Sequence, residues 1–553
     1  MPHKIKNGAD LAKEVNLLAS SWSMRSTAIK KWYNMIRLTD DLKQAKMESV
    51  ISSDPRTSFN MASWLLTPKT PVFTVDTEGM TEEEVGNVGA VESYCNREYL
   101  REQRRTASSL YGRFDKRLVN YMLATGWYAV GSYPTPDGWM WGVWNPASVY
   151  PDYNQDGQLV QVARRYQIPS RQALSKIRSE GWQEPQRAWS GGKLYVYIKW
   201  WMDWDTELQE EVAWFCAGIG NELVSPPGPT PFRAIPIQVA PVAGLPDDGT
   251  ITQDDSWRAE IGNSLVTPVL DIQKNYNKMM SYMQQLIRDT ANPRWVEKVR
   301  GSSVLDPEKL FERGATFTIE PGEDIYPLAT PPLPAEMRSH EFDLRNQIQR
   351  ASFSDLTFGN VTQQVSAMLV TQVTASAQQI LNPFQMGVSA VFSGIAVLNI
   401  AHMRLFGFPL LSGQAAFSKL PELLTIDFKY DVAIPGDFLN RANSARILNP
   451  DFRLSTSTLM ELLIPEVRNA IIERGNLQAE DALNNPIARA VLSMWQLQLA
   501  AREARNNNDE QLAAMLERAA ALMEGQTFGS QRPEAMRQVE GAPDIQALLG
   551  GRM

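Results

Sequence analysis

Asp152, Asn154 and Asp156, followed by Gly157, fill the first, third, fifth and sixth positions of a calcium-binding loop. The twelfth position, where a bidentate glutamate belongs, is Ala163, and strands rather than helices are expected on either side. A tight β-turn of Asn, Asp and Gly is the reading these residues favour. Asp203 and Asp205 beside Trp200, Trp201 and Trp204 could make a glycosidase acid/base pair, yet the segment reads as a strand-to-strand turn, where Asp is favoured for backbone reasons. Gly191-Gly192-Lys193 runs into Leu194 without the upstream glycine or following hydroxyl of a phosphate loop. Gly387-Val388-Ser389-Ala390-Val391 lacks the final glycine of a nucleophile elbow. The three histidines, His3, His340 and His402, and the two cysteines, Cys95 and Cys216, are scattered. A His/Cys metal site is therefore not expected. The residues point to no enzyme, no catalytic residue, no metal and no cofactor.

The 553 residues are too many for one ordinary core, and 43% hydrophobic with 21% charged residues describes a folded chain. The net charge of −8 argues against tight nucleic-acid wrapping, which draws its affinity from a basic excess. Two distant cysteines fit a reducing compartment. Met1 to Lys6 carries charge with no apolar stretch behind it, so no secretory leader is expected. Between Asp355 and Arg404 there is no charged residue, and Phe384 to Ala401 is largely apolar. Asn382-Pro383, Gln385, Ser389, Ser393 and Asn399 interrupt that run, and no basic cluster or aromatic belt flanks it. A helix buried on all sides, by its own chain or by neighbouring subunits, is the expectation.

Leu11, Val15, Leu18 and Trp22 have helical spacing, as does the run from Thr27 to Leu38. Val72 to Val75 reads as a strand. Thr81 with Glu84 forms a capping box that should open a long helix ending near Gly126. A tryptophan-rich β block follows, with a hairpin around Pro134 to Gly138, strands at Leu159–Tyr166, Leu194–Ile198 and Val212–Cys216, and a helix from Ser170 to Gly181. The prolines from Pro226 to Pro246 suggest an extended connector. Ser256 to Ala291 reads as a helix stopped by Asn292-Pro293. Arg294 to Pro334 reads as a compact insert with strands at Thr316–Glu320 and Ile325–Leu328, and Ala335 to Phe353 as a returning helix. The uncharged helix from Val365 to Phe406 should kink at Pro383, and its small residues should let neighbouring helices approach closely. A strand from Leu424 to Ile434 and a helix from Gly436 to Leu448 follow. An Ala-rich helical run from Pro486 to Met523 comes next, and the last thirty residues read as disordered.

This succession resembles the portal proteins of tailed bacteriophages over most of the chain. The resemblance rests on Tyr128–Tyr133, Trp144-Asn145-Pro146 to Pro151-Asp152, Gly262 to Asn277 and the polar stretch Leu356 to Gln364. No one motif is specific; the co-linear order carries it. It implies a helix-rich α+β subunit with an N-terminal helical segment (1–65), an α/β wing (66–255) and a first stem helix (256–292). A clip (293–334), a second stem helix (335–355), a tunnel loop (356–364) and a long kinked wing helix with a strand (365–435) would follow. A helical crown (436–525) and a disordered tail (526–553) would end it. The family's role would be a dodecameric ring at one capsid vertex of the virion, assembled in the host bacterial cytoplasm, through which double-stranded DNA is packaged, retained and ejected without tight binding. The partners implied are further copies of the chain, the terminase large subunit, head–tail adaptor and tail proteins, and the major capsid and scaffolding proteins, with no membrane. Asn360, Val361, Thr362, Gln363 and Gln364 would face DNA, and Lys298, Arg300, Lys309 and Arg313 would meet the motor or adaptor. Gly387, Ala390 and Gly394 would lie between subunits. Two other classes stay open: a carbohydrate-active enzyme with a Trp-rich β domain, and a membrane-anchored binding protein.

Overall fold

The structure, a computed structural model, describes residues 5–43, 49–69, 71–77, 79–135, 138–184, 189, 192–207, 209–246, 255–291, 295–298, 318, 321–322, 324–327, 335–353, 367–406, 421, 424–430, 477, 486–506 and 510–528. Its elements begin with helices α1 (Gly8–Ser21), α2 (Ser23–Ile36) and α3 (Asp54–Leu66), strand β1 (Val72–Val75), and helices α4 (Glu82–Thr106) and α5 (Phe114–Thr125). Strands β2 (Trp127–Thr135), β3 (Gly138–Val143), β4 (Val149–Tyr153) and β5 (Leu159–Pro169) follow, then α6 (Ser170–Glu180), β6 (Lys193–Asp205), β7 (Glu210–Ile219), β8 (Glu222–Pro229) and β9 (Ile237–Pro241). The rest is α7 (Leu270–Ala291), β10 (Trp295–Lys298), β11 (Asp324–Pro327), α8 (Ala335–Ala351), α9 (Ala367–Phe406), β12 (Ile426–Lys429), α10 (Pro486–Asn506) and α11 (Glu510–Phe528). Among the described residues helix makes up 54% and strand 24%, which is the expected helix-rich α+β class.

Strands β4 to β8 form an antiparallel meander in sequence order. Side chains alternate across a strand, so β6 serves two cores. Val196 and Ile198 pack on one face with Ala173 and Ile177 of α6, while Tyr197 and Trp201 pack on the other with Leu11 and Val15 of α1. Lys199 lies on the α1 side, buried, and is neutralised by Glu14 at 2.6 Å. Asn7 caps α1 by accepting from the Asp10 amide. Arg25 of α2 is fully buried between Trp22 and Trp127, its guanidinium 4.5 and 4.7 Å from the two ring centres and donating to the Val149 carbonyl. Burial lowers its pKa to about 10, so it stays cationic at neutral pH.

The largest core joins segments remote in sequence. Phe392 of α9 lies 4.6 Å from Phe428 of β12, 5.3 Å from Tyr99 of α4 and 5.9 Å from Trp141 of β3, ring centre to ring centre. β12 in turn pairs antiparallel with β1, Phe73 opposite Phe428. Beneath these rings the Asp115 carboxylate, fully buried, accepts from the Tyr99 hydroxyl, the Gln103 amide and the Arg113 guanidinium.

Several elements depart from the sequence reading. The helix expected to run from Thr81 to Gly126 breaks between Thr106 and Phe114. The Phe114 amide donates to Thr106 Oγ1 and Ser109 Oγ to the Gly112 carbonyl, while Gly112 takes φ 70°. Hydroxyls competing for backbone groups, with a left-handed glycine, fold α5 back so that Phe114 meets Tyr99. The proline-rich connector contains β8 and β9. Pro226, Pro227 and Pro229 are tolerated because β8 is an edge strand with a shifted register against β7. Asp203 to Asp205 continues β6 rather than turning; the turn follows, with Gln209 at φ 54°. β11 pairs with β10, Trp295 opposite Pro327, whereas residues 316–320 lie mostly outside those described. The Ala-rich run is two helices, α10 and α11, bridged by Arg505 and Glu517 at 2.9 Å. They belong to a second compact unit, Arg441–Met553, apart from Met1–Asn440. α11 runs to Phe528, past residue 526 where a disordered tail was expected to begin, and the helix Gly436–Leu448 and residues 529–553 lie outside the described residues.

The helix expected from Ser256 begins only at Leu270, because the preceding backbone is used elsewhere. Val242, just past β9, donates to the Gly126 carbonyl (2.7 Å) and accepts from Asn263 (3.0 Å), while the Leu265 amide and Ser264 Oγ both reach the Leu123 carbonyl. Gly126 takes φ 68°, and a Cβ there would lie 2.5 Å from the Asn263 nitrogen; a Cβ on Gly262 would lie 2.4 Å from Trp127 Nε1. Only glycine fits either side of this crossing.

Removing the buried carboxylate strands the Tyr99 hydroxyl and the Gln103 amide under the aromatic core. Asp115→Ala should lower unfolding free energy by about 3 kcal/mol, measured as a shift of the urea midpoint at unchanged slope.

Candidate channel and assembly surfaces

The helices α7 and α8 pack on one another and flank the small β10–β11 pair. α7 carries the strand β10 at its end and α8 follows the strand β11, so the strand pairing and the helix pairing extend one hairpin. The body grips α7 through the chain at Val50 to Ser52. The Val50 amide donates to Ser281 Oγ (2.9 Å) and the Ser52 amide to Asn277 Oδ1 (3.1 Å). Ser281 and Gln273, polar yet fully buried, line this seat. On one side of it a cleft of about 470 Å³ is bordered by Asp54, Tyr276, Arg345 and Gln349. On the other, one of about 300 Å³ is bordered by Lys31, Asp40, Lys274 and Lys278. Both carry acids and bases together, so neither presents the single sign that would select a charged ligand.

Lys298 is exposed at the end of β10, opposite Asp324. Arg300, Lys309 and Arg313, expected beside it, lie outside the described residues. So does the loop expected to face DNA, Asn360, Val361, Thr362, Gln363 and Gln364, which falls between α8 and α9.

α9 runs through Pro383 and is, among the described residues, the one helix long and apolar enough to cross a membrane. Its polar side chains are tied into the chain instead. Asn399 Nδ2 donates to Ser132 Oγ of β2 (2.8 Å), Ser393 Oγ accepts from the Phe428 amide (2.9 Å), and Gln385 Nε2 donates to the Tyr430 carbonyl (3.2 Å). Leu381, Phe384, Val388, Val391, Ile395 and Ile400 fill the large core between those anchors. The exposed positions are polar in the early turns, Ser376, Gln378, Gln379 and Asn382, and apolar beyond them: Met386 is 63% exposed, Leu405 40%, and Ala390 and Ala401 are exposed between them.

The small residues expected between subunits divide across these two sides. A Cβ on Gly387 would meet Val242 at 3.0 Å, and one on Gly394 would meet the Gln238 side chain at 2.3 Å. Both glycines therefore serve close approach of the chain's own β9 region to the helix, which a single sequence cannot separate from close approach of another copy. Ala390 alone of the three lies on the exposed side.

The candidate enzyme residues do not converge. Trp201 is buried and stacked on Trp214, Trp200 packs on Phe215 at 4.6 Å, and only Trp204 stands out, 55% exposed. Asp203 accepts from the Trp204 amide and Asp205, buried, from the Glu207 amide. The Asp152–Gly157 segment is a turn in which Asn154 Oδ1 accepts the Asp156 and Gln158 amides and Gly157 has φ 76°. Among the described residues no group of His, Cys, Asp and Glu is placed to hold a metal. No protein-family model and no curated protein matches the chain.

Two features escaped sequence reasoning. The seat at Val50 to Ser52 gives no local signal, since ordinary serines in a loop act through backbone amides. The buried His402 of α9, packed 4.7 Å from Phe232, reads in sequence only as a histidine on an apolar helix. Burial lowers its pKa from the ordinary 6.5 to about 4. Protonation therefore favours the unfolded chain, so stability is full above pH 6.5 and is lost as pH falls toward about 4. Over that window the protein should lose about 3 kcal/mol more than a His402→Leu variant, read from urea midpoints at each pH.

Proposed function

We propose that the chain is a portal subunit, a ring-forming, non-enzymatic protein whose copies surround a channel for double-stranded DNA at a capsid vertex. The observation that carries this reading is the α7–β10–β11–α8 hairpin following an α/β body and followed by α9, which is uncharged as far as Arg404, the order and character of elements that the portal resemblance implies. In this reading the hairpin is the stem with its clip, and the clip docks the packaging motor and later the adaptor and tail proteins. The segment between α8 and α9 would face DNA in this reading, its Asn, Thr and Gln residues offering exchangeable hydrogen bonds without fixed charge. The net charge of −8 on each copy suits a wall that repels phosphates rather than gripping them. The apolar outer side of α9, Met386 to Leu405, supports burial against a neighbouring copy. Motor activity then belongs to another protein, the terminase, because no phosphate loop occurs in this sequence.

Purified protein viewed by negative-stain electron microscopy should form rings with a central hole. Single particles of one chain's mass at every concentration would count against the portal reading. Ala390→Glu should leave the subunit folded, with unchanged thermal midpoint, while placing a charge in the contact between copies and costing several kcal/mol per contact, about 3. Ring yield should collapse. Gly394→Glu should instead lower the thermal midpoint, because its side chain meets Gln238 within the chain.

A further inference from the structure

The inner side of α4 is fully used: Val88, Val91, Tyr94, Cys95, Glu98, Tyr99 and Glu102 are buried. Its outer side carries Glu82, Gly86, Gly89, Ser93, Arg97, Leu100 and Arg104, all exposed. At 100° per residue they fall on one narrow stripe. Their spacings are four, three, four, four, three and four, a pattern that reads the same in both directions about Ser93. The chemistry reverses across that centre. The acidic end begins with Glu82 and the basic end finishes with Arg104. Gly86 and Gly89, which weaken a helix relative to alanine, lie on one side of Ser93, and the large Arg97 and Leu100 lie on the other. A Cβ on either glycine would meet nothing within 4 Å in this chain, so the fold itself gives no reason for them. Arg101 and Arg105 are held within the chain by Glu98 and Glu102, whereas Arg97, its guanidinium 5.3 Å from the Tyr94 ring centre, and Arg104 are exposed.

We infer that this face docks on the same face of a second copy of the chain, the two α4 helices antiparallel about a two-fold axis through Ser93. Glu82 then meets Arg104 of the other copy at both ends, Leu100 enters the hollow over Gly86, and Arg97 lies over Gly89. A parallel pair would set Glu82 on Glu82 and Arg104 on Arg104, so charge selects the antiparallel arrangement, which the helix dipoles favour as well. A two-fold contact closes on itself, so it pairs copies and stops; it is not the contact that propagates around a ring. The inference does not rest on the portal reading. The paired surface is a single helix face, smaller than a stable dimer needs, so the pair is weak and best captured covalently.

The test uses the full chain with Ser93→Cys under mild oxidation, read on a non-reducing gel. The native Cys95 and Cys216 are buried, and burial raises both thiols, so neither competes. Disulfide-linked dimer should exceed that of a control thiol, Ser179→Cys on exposed α6, by about tenfold. Adding Arg104→Glu should lower the yield about tenfold, and adding Glu82→Lys to that variant should restore it. Gly86→Leu should raise the thermal midpoint, since it removes a helix glycine into open space, yet abolish the cross-link by filling the hollow for Leu100. Dimer no greater than the Ser179→Cys control, or a yield indifferent to both Gly86→Leu and the charge swap, overturns the two-fold contact. Ring images are read separately, so loss of either result leaves the other standing.

Discussion

Phe392 is the residue on which the body of this protein turns. Its ring touches aromatic side chains from α4, α5, β3 and β12, elements whose sequence positions run from Tyr99 to Phe428. Each such ring removes roughly 150–250 Å² from water, and the edge-to-face geometry around Phe392 admits no simple substitute. Loop closure over more than three hundred residues is compensated only if the far segment brings a large apolar surface with it. α9 does so along most of its length, and β12 then completes a sheet with β1 that neither strand could hold alone. The apolar helix is thus the central packing element of Met1–Asn440, not an appendage to it.

That role explains why α9 resembles a membrane span without being composed like one. Its polar residues occur where a strand end or an edge needs a partner: Ser393 for the Phe428 amide, Gln385 for the Tyr430 carbonyl, Asn399 for Ser132. A buried amide left unpaired would cost more than the apolar residue it displaces would gain. The buried charges follow the same logic. Asp115 is surrounded by donors, and Lys199 has Glu14. Arg25, lacking a carboxylate, is accommodated by two tryptophan faces and a carbonyl.

Much of this was legible from residue order. The capping box at Thr81 and Glu84 opens α4 as expected, Gly126 closes α5 in the left-handed region, and Trp127 to Trp144 forms its hairpin. Those are local devices, written into neighbouring residues. The failures were non-local. Ser256 to Val269 has helical composition, but its backbone is claimed by Leu123, Val242 and Leu245. The prolines after Ser225 look like connector until the edge position of β8 makes them harmless. Gly387 and Gly394 of α9 also admit the chain's own Val242 and Gln238, since close approach has one sequence signature whoever the neighbour is. The palindromic stripe on α4 was legible in principle, yet it stands out only once the buried side of the helix is known.

The crossing at Gly126, Val242 and Gly262 has a mechanical consequence. The α7–α8 hairpin joins the body on its first strand through main-chain bonds between Val242, Gly126, Asn263 and Leu123, with two glycines allowing the backbones to touch. Side chains can change rotamer and absorb a displacement; a lattice of amide-to-carbonyl bonds at van der Waals contact cannot. A force carried along α7 would therefore meet main-chain bonds at the end of α5 and the start of β2. Of the two attachments of α7, the serine seat and this crossing, the crossing leaves the fewer rotatable bonds between helix and aromatic core.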